Sequence, residues 1–278
     1  RYGINHDKWL LLDAPGLGKS LQIIYIAEEL QAQKKLEHCF IICGIATLTT
    51  NWKKEIQKHS KLSCRILGEK RTKTGKLIVK SVKERAEELA KPIEEFFIIT
   101  NIETIRNDDV LAAFQHSDNK IDMIAVDEFH KAKSHESQQG RNLLKMNAKY
   151  KIGATGTLLL NDPLDCYTAL TWIGKERSTF TNFKYYYGEY NEDGFLMRLK
   201  NSDILKKEID VVSLRRTKDL LDLPEKTIID EVVEMSDAHR KFYDDIEANI
   251  FNDVDLVHMS KKSLLAKVTR LRQATACP

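Results

Sequence analysis

Short apolar runs alternate with charged or amphipathic segments along the first part of the chain. The apolar runs predict buried strands over residues 9–12, 38–43, 65–67, 96–100, 121–126 and 151–155. The intervening segments predict helices over residues 21–30, 51–56, 82–90, 102–105 and 110–114, and an exposed loop over the Lys-, Thr- and Gly-rich residues 68–80. Strands that alternate with helices form an open, mostly parallel sheet between helices, which binds ligands at the carboxyl ends of its strands. The pattern therefore predicts an α/β fold.

The remainder of the chain has a different character. Aromatic side chains crowd residues 178–200, which indicates either a base-stacking surface or an aromatic-packed subdomain or lid. We favour the subdomain or lid because no stripe of lysines accompanies the rings. A basic segment at residues 214–218, a strand over 227–234 and helices over 238–249 and 260–273 then form a C-terminal helical extension. We divide the chain into a core, residues 1–176, and a second part, residues 177–278.

Composition narrows the class of protein. The 278 residues are 42% hydrophobic and 31% charged, which suits one large domain or two small ones with a sizeable core. Lys and Arg number 44 against 41 Asp and Glu, so the net charge is only +3 and any affinity for nucleic acid must come from local patches. The 5 cysteines form no Cys-x-x-Cys pairs, which argues for reduced thiols and against a zinc site or a disulfide framework.

The sequence also gives expectations about where the protein is located and whether the chain is complete. No apolar run is long enough to cross a bilayer and no signal peptide is present, so we expect no membrane partner and a soluble, intracellular protein of the cytoplasm or nucleus. The chain begins at Arg1 rather than at Met and ends just after a basic helix, so we interpret it as a piece of a longer protein.

The chemistry begins at residues 13–20, Asp-Ala-Pro-Gly-Leu-Gly-Lys-Ser, between the first predicted strand and the first helix. Gly16 and Gly18 allow main-chain N–H groups to point inward, and the helix N-terminus adds its positive dipole end. Lys19 supplies a charge for the β- and γ-phosphates and Ser20 a hydroxyl ligand for Mg²⁺. Asp13 stands where the strict phosphate-loop pattern has Gly, so the match is to the Gly-x-Gly-Lys-Ser half. The alternative is an ordinary strand-to-helix turn that holds a lysine.

Two further motifs follow predicted strands. Asp127 and Glu128 come directly after the strand at 121–126, where Asp127 would hold Mg²⁺ and Glu128 would orient or deprotonate a water molecule. His130 lies beyond the pair and could sense the phosphates or couple to the next motif. That motif is Thr155-Gly156-Thr157, which could bridge from the γ-phosphate region toward a second site or form a plain turn.

Taken in order, these motifs resemble those of the Swi/Snf-type superfamily-two helicase-like ATPases, a group of DNA translocases and remodellers. The phosphate loop resembles the group's Asp-Glu-x-Gly-Leu-Gly-Lys-Thr, which accounts for Asp13. The further matches are residues 41–48 with Asn51 and Trp52, residues 98–105, residues 127–130 with the Asp-Glu-Ala-His box, residues 155–157 with Thr-Gly-Thr-Pro, residues 214–218 and 223–227, and residues 271–273 with Cys277 and Pro278. Gly44 departs from the group's Pro, and Phe129 from its small residue.

The resemblance implies the first RecA-like P-loop NTPase lobe of such an enzyme. It implies ATP and Mg²⁺ as ligands, and a second RecA-like lobe, absent from this chain, that supplies arginine fingers. The implied nucleotide-binding residues are Pro15, Gly16, Leu17, Gly18, Lys19, Ser20 and Leu21. ATP rather than GTP rests on the resemblance alone.

The resemblance also implies contacts with the backbone of double-stranded DNA. Thr47, Thr100 and Asn101 would line the tracking strand, with Lys53, Lys54 and Arg106 nearby. For the lysines we favour the alternative of a solvated helix face. Thr155, Gly156 and Thr157, with Arg215 and Arg216, would couple the lobes, although a structural ion pair is an equal alternative for the arginines.

The leading hypothesis is therefore a DNA-dependent ATPase that moves along double-stranded DNA, with this chain as its weakly active first lobe. The first alternative is a strand-separating DNA or RNA helicase of the same superfamily. The second is a nucleotide-gated module that recruits a partner through residues 178–200. Strand displacement would select the helicase, and partner capture that survives Lys19→Ala but needs residues 178–200 would select the module.

Overall fold

A computed structural model of the chain describes residues 2–71, 77–158, 162–192, 194, 196–221, 229–252 and 261–276. The chain divides into two compact units, residues 1–222 and residues 223–278. The predicted domain boundary after residue 176 stays a prediction.

The first unit carries all the strands found in the described residues. They are β1 (Lys8–Leu11), β2 (His38–Cys43), β3 (Cys64–Ile66), β4 (Glu69–Arg71), β5 (Leu77–Val79), β6 (Phe97–Asn101), β7 (Ile121–Asp127), β8 (Tyr150–Ala154), β9 (Gly188–Tyr190), β10 (Leu196–Leu199) and β11 (Ser213–Leu214). Its α-helices are α1 (Tyr2–Asn5), α2 (Lys19–Ala32), α3 (Thr47–His59), α4 (Val82–Leu89), α5 (Asp108–His116), α6 (Gln138–Lys145), α7 (Tyr167–Trp172), α8 (Phe180–Tyr187) and α9 (Ser202–Val211).

Seven strands form one sheet in the order β11-β1-β8-β7-β2-β6-β3. Every neighbouring pair in this sheet is parallel. Because side chains alternate along a strand, Leu10 of β1 packs in the core on one face and Leu11 in the core on the other. Helix α2 buries Ile23 and Ala27 in the second of these cores. The predicted α/β fold, a parallel sheet between two layers of helices, is confirmed.

Two predictions about local structure in the first unit are wrong. Residues 69–71 and 77–79 of the expected loop form the antiparallel hairpin β4–β5. Side-chain contacts stabilise its base, since Lys53 pairs with Glu69 and the Gly68 N–H donates to Glu88 Oε2 at 2.7 Å. Helix α3 begins at Thr47, ahead of the predicted start at residue 51.

The aromatic segment at residues 178–200 forms α8 and the antiparallel pair β9–β10. Phe183 is buried with its ring centroid 5.1 Å from that of Tyr167, and Tyr187 is buried beside it. Tyr185 and Tyr186 are exposed. The segment therefore contributes part of its rings to the core of the first unit.

The second unit contains α10 (Asp237–Asn252) and α11 (Lys261–Ala276), close to the predicted helices. The predicted strand over 227–234 does not form in residues 229–234. A strand needs a neighbour to pair its main-chain groups, and within the described part of this unit no other strand lies beside it. Its apolar side chains are accordingly open to solvent, with Val232 90% exposed. The motif at residues 223–227 and Cys277 with Pro278 lie outside the described residues.

Among the described residues, no helix combines the length and the hydrophobicity that crossing a lipid bilayer requires.

Candidate functional site

The sheet order brings the sequence motifs to one edge. The phosphate loop follows β1, residues 155–157 follow β8, Asp127 ends β7, and Thr47 lies just after β2. These four strands are consecutive neighbours, and β11, which precedes Arg215 and Arg216, flanks β1 on the other side. Motifs that are far apart in the sequence therefore lie side by side at the carboxyl ends of parallel strands.

The phosphate loop has a conformation that favours glycine. Gly16 and Gly18 both have positive φ, +90° and +71°, which side-chain-bearing residues rarely adopt. Helix α2 begins directly at Lys19 and no side chain caps its N-terminus, so the first-turn N–H groups lack helical acceptors. The ammonium of Lys19 donates to the main-chain oxygen of Asp13 at 3.1 Å. The loop thus presents donors and a positive charge to an anion.

Asp127 is a partly buried carboxylate at the end of β7. The indole Nε1 of Trp52 donates to its Oδ2 at 3.0 Å, and the Glu128 N–H donates to its Oδ1 at 3.0 Å. Burial raises the pKa of Asp127, and the charge of Glu128 acts in the same direction; the Trp52 and Glu128 hydrogen bonds and the charge of Lys19 oppose this without cancelling it. The charge of Lys19 therefore acts on the Asp127 carboxylate.

Glu128 has φ +52° and ψ +51°, a left-handed conformation that is unusual for a residue other than Gly or Asn. Its Oε2 lies 3.2 Å from Nδ1 of His130, and the same nitrogen lies 3.2 Å from Oγ1 of the buried Thr155. Thr155 in turn donates to the main-chain oxygen of Thr157 at 3.1 Å. His130 therefore links the Asp-Glu pair to the Thr-Gly-Thr turn.

Two glycines allow close approach between these motifs. A Cβ at Gly156 would lie 3.1 Å from Cδ of Pro15, so the Thr-Gly-Thr turn packs directly against the phosphate loop. A Cβ at Gly44 would lie 2.7 Å from Cβ of Glu128, nearer than real Cβ contacts allow. Gly44 therefore makes room for the unusual backbone of Glu128.

The predicted nucleic-acid residues differ in exposure. Thr47 is exposed at the first position of α3, but Thr100 and Asn101 are buried. Asn101 Oδ1 accepts from both N and Oγ1 of Thr104 at 2.8 Å, which fixes the backbone after β6. Lys54 and Arg106 are exposed, whereas Lys53 is paired with Glu69. The DNA-binding role of these residues stays a prediction.

The two arginines of the predicted coupling segment have different environments. Arg215 is exposed and lines a cavity of about 510 Å³, together with Gly156, Thr157 and apolar residues of β10 and α9. Arg216 forms an ion pair with the fully buried Asp13. The structural ion pair is thus present for Arg216.

Sequence reasoning missed three side chains of this site. In the sequence, Trp52 stands out only as part of a motif and Asp13 only as a departure from the glycine pattern, and no motif includes Gln22. Each has a distant partner, 75, 203 and 194 residues away in sequence: Asp127 for Trp52, and Arg216 for Asp13 and Gln22. The only local signal was a carboxylate, Asp13, directly after an apolar strand, where burial demands a partner.

Comparisons with known proteins agree with this arrangement. A family model described as the SNF2-related domain matches residues 5–278. An "Uncharacterized ATP-dependent helicase" of Mycoplasma genitalium is 28% identical over 84% of this chain and 21% of its own length. The "Chromodomain-helicase-DNA-binding protein 1-like" of Mus musculus is 26% identical over 97% of this chain and 29% of its own length. The chain therefore spans between about a fifth and three tenths of the length of these relatives.

A solved structure has the same fold. The "Sulfolobus solfataricus SWI2/SNF2 ATPase core in complex with dsDNA" superposes with a TM-score of 0.60 at 22% identity, over 96% of this chain and 53% of that chain. The chain thus corresponds to about half of that ATPase core.

Proposed function

The chain belongs to the SNF2-related domain family, and we propose that it is the ATP-binding first lobe of an intracellular, ATP-driven motor that moves along double-stranded DNA. The observation that carries the proposal is the convergence of the phosphate loop, the Asp-Glu pair and the Thr-Gly-Thr turn at adjacent strand ends. The DNA-bound ATPase core of the solved neighbour supports double-stranded DNA as the track.

The phosphate loop binds the triphosphate of ATP through main-chain N–H groups. Residues 15–21 surround the phosphates, and the uncapped N-terminus of α2 supplies donors and a positive dipole end. Lys19 exchanges the Asp13 carbonyl for phosphate oxygens when the nucleotide enters.

Ser20 and Asp127 are the residues that would hold Mg²⁺. One carboxylate and one hydroxyl fit this ion, because Mg²⁺ prefers oxygen ligands and keeps several water molecules and phosphate oxygens around it. When bound, Mg²⁺ neutralises charge on the phosphate oxygens. Trp52 fixes one oxygen of Asp127, which orients the carboxylate.

Glu128 orients the attacking water molecule and accepts its proton. His130 contacts both Glu128 and Thr155, so it transmits a change at the γ-phosphate to residues 155–157. Arg215 lies beside this turn, at the same cavity, and takes part in coupling to the second lobe.

We expect the chain alone to bind Mg·ATP and to hydrolyse it slowly. Hydrolysis in two-lobed motors needs arginine fingers, which contribute a rate factor of roughly 10³ to 10⁵. DNA contacts involve backbone phosphates, since a motor that moves along DNA must ignore its sequence. Of the three residues proposed to line the tracking strand, Thr47 is exposed, whereas Thr100 and Asn101 are buried.

Nucleotide binding is tested on this chain with a fluorescent ATP analogue. Lys19→Ala should weaken binding at least about tenfold, a loss of about 1.4 kcal/mol. Lys35→Ala removes the same type of side chain beyond the other end of α2 and should bind as the unaltered chain does. Equal affinity of the Lys19→Ala variant would contradict the proposed site.

The motor function is tested on the whole protein that contains this chain. ATP hydrolysis is measured with double-stranded DNA, single-stranded DNA and RNA in parallel, together with displacement of a labelled strand. Stimulation by duplex DNA without strand displacement supports the motor. Strand displacement, or stimulation by RNA alone, would replace it with a helicase.

A further inference from the structure

The phosphate loop begins with a buried charge. The carboxylate of Asp13 is 0% exposed, and Arg216 Nε lies 3.1 Å from both of its oxygens while Arg216 Nη2 bonds to Oδ2. Gln22 Nε2 donates to the same Oδ2 at 2.9 Å. Burial acts to raise the pKa of Asp13, but the hydrogen bonds from Arg216 and Gln22 and the charge of Arg216 outweigh it, so the pKa lies below its usual range. Asp13 is therefore an anion held by one arginine.

Gln22 extends this contact into the loop itself. Its Nε2 also donates to the main-chain oxygen of Leu17 at 3.0 Å, between the two loop glycines. Its Oε1 accepts a hydrogen bond from Nη2 of Arg216. A side chain in the first turn of α2 thus connects the middle of the loop to both members of the ion pair.

Backbone hydrogen bonds also connect the start of the phosphate loop to the segment that contains Arg216. The Leu12 N–H donates to the Leu214 oxygen at 2.8 Å, and the Ala14 N–H to the Arg216 oxygen at 3.0 Å. The residues that enter the phosphate loop therefore continue the pairing of β1 with β11. The loop is fixed to a segment about 200 residues later in the chain, from which the chain runs on toward the second unit.

An unpaired carboxylate beneath the phosphate loop would oppose the binding of a polyanion. In a low-dielectric environment that charge would repel a triphosphate, and the repulsion would grow with each negative charge of the ligand. Among the described residues, the charged groups facing Asp13 are the Arg216 guanidinium on its carboxylate and the Lys19 ammonium on its main-chain oxygen.

We propose that Arg216 is a positioning residue for the phosphate loop. It neutralises Asp13 and holds Gln22 against Leu17, and it thereby keeps the loop competent for a triphosphate and ties the nucleotide site to the segment that leaves the sheet after β11. This inference rests on the proposed nucleotide binding. It gives Arg216 a task that Arg215, which faces a cavity instead, does not share.

The test compares the affinities of the full chain for ATP, ADP and AMP by competition with a fluorescent nucleotide. Arg216→Gln leaves Asp13 unpaired, so ATP binding should weaken about tenfold, ADP binding less and AMP binding least. The Arg216→Gln/Asp13→Asn variant removes the unpaired charge and should recover most of the affinity for ATP. Lys218→Gln removes an exposed cation two residues later and should change nothing.

A merely structural role predicts a different pattern. If Arg216 only stabilised the fold, the affinities for ATP, ADP and AMP would fall by one common factor, and that result would overturn the proposal. So would full affinity in Arg216→Gln or no recovery in the double variant. Should Arg216→Gln fail to fold, Arg216→Lys keeps the charge but not the forked geometry and should retain the unaltered ratio of ATP to AMP affinity; a lower ratio overturns the proposal.

Failure of the proposed function gives a separate signature. If the unaltered chain does not bind ATP, or binds it equally well after Lys19→Ala, nucleotide binding itself is wrong. If binding depends on Lys19 but not on Arg216, only the positioning role is wrong.

Discussion

Substitution of Lys151 should make the stability of the first unit respond differently to pH. Lys151 lies in β8 with only 4% of its surface exposed. Its ammonium donates to the main-chain oxygen of Trp172 at 3.1 Å and lies 5.1 Å from the centroid of the Trp172 ring. Burial lowers the pKa of Lys151 from 10.5 to about 8, with a smaller contribution from the charge of Lys8 on the neighbouring strand.

The sign follows from comparing the folded and unfolded chains. Above pH 10.5 Lys151 is neutral in both, and burial of the amine carries no charge penalty. As the pH falls from 10.5 toward 8, Lys151 binds a proton in the unfolded chain but not in the folded chain, so the free energy of unfolding falls. The full penalty is about 3 kcal/mol, at about 1.36 kcal/mol per pKa unit, and it is present at every pH below about 8.

The variant Lys151→Met keeps the length of the side chain and removes the titration. Its free energy of unfolding, measured in guanidinium chloride between about pH 7.5 and pH 9.5, should lack the rise that the unaltered chain shows. The difference between the two proteins should therefore change by about 2 kcal/mol over this range. Lys149→Met removes an exposed lysine two residues earlier, and its free energy of unfolding should depend on pH as that of the unaltered chain does. Parallel curves for Lys151→Met would refute the reasoning, because they would mean that Lys151 titrates alike in both states.

Two further predictions concern the Asp-Glu pair. Trp52→Phe removes a hydrogen bond that lowers the pKa of Asp127, so protons should displace Mg²⁺ at a higher pH than in the unaltered chain. The measurement is the nucleotide affinity in the presence of Mg²⁺ as the pH is lowered. The same dependence of affinity on pH in both proteins would contradict this prediction. Gly44→Ala places a Cβ 2.7 Å from Cβ of Glu128, so it should destabilise the fold by about 1–3 kcal/mol, measured by denaturant titration. It should also slow ATP hydrolysis by the whole protein. Unchanged stability together with an unchanged rate would contradict the close contact between Gly44 and Glu128.

The sequence by itself determined the layered α/β fold and the place of its chemistry. Short apolar runs predicted strands such as β2 and β7, and the glycines and lysine at residues 16–19 predicted a phosphate loop between a strand and a helix. These are local signals, because strand pattern, turn chemistry and helix start depend on neighbours in the chain. The ends of parallel strands then had to share one edge of the sheet.

The tertiary structure alone decided which distant side chains meet there. It paired Asp13 with Arg216 and Trp52 with Asp127, and it gave Glu128 a left-handed backbone beside Gly44. It also formed the β4–β5 hairpin, and it left residues 229–234 without a partner strand in the part of the chain that the structure describes. Strand order and long-range pairing decide these contacts. A buried charge or a strand needs a partner, and that partner is a residue that the fold places nearby, which no local sequence pattern encodes.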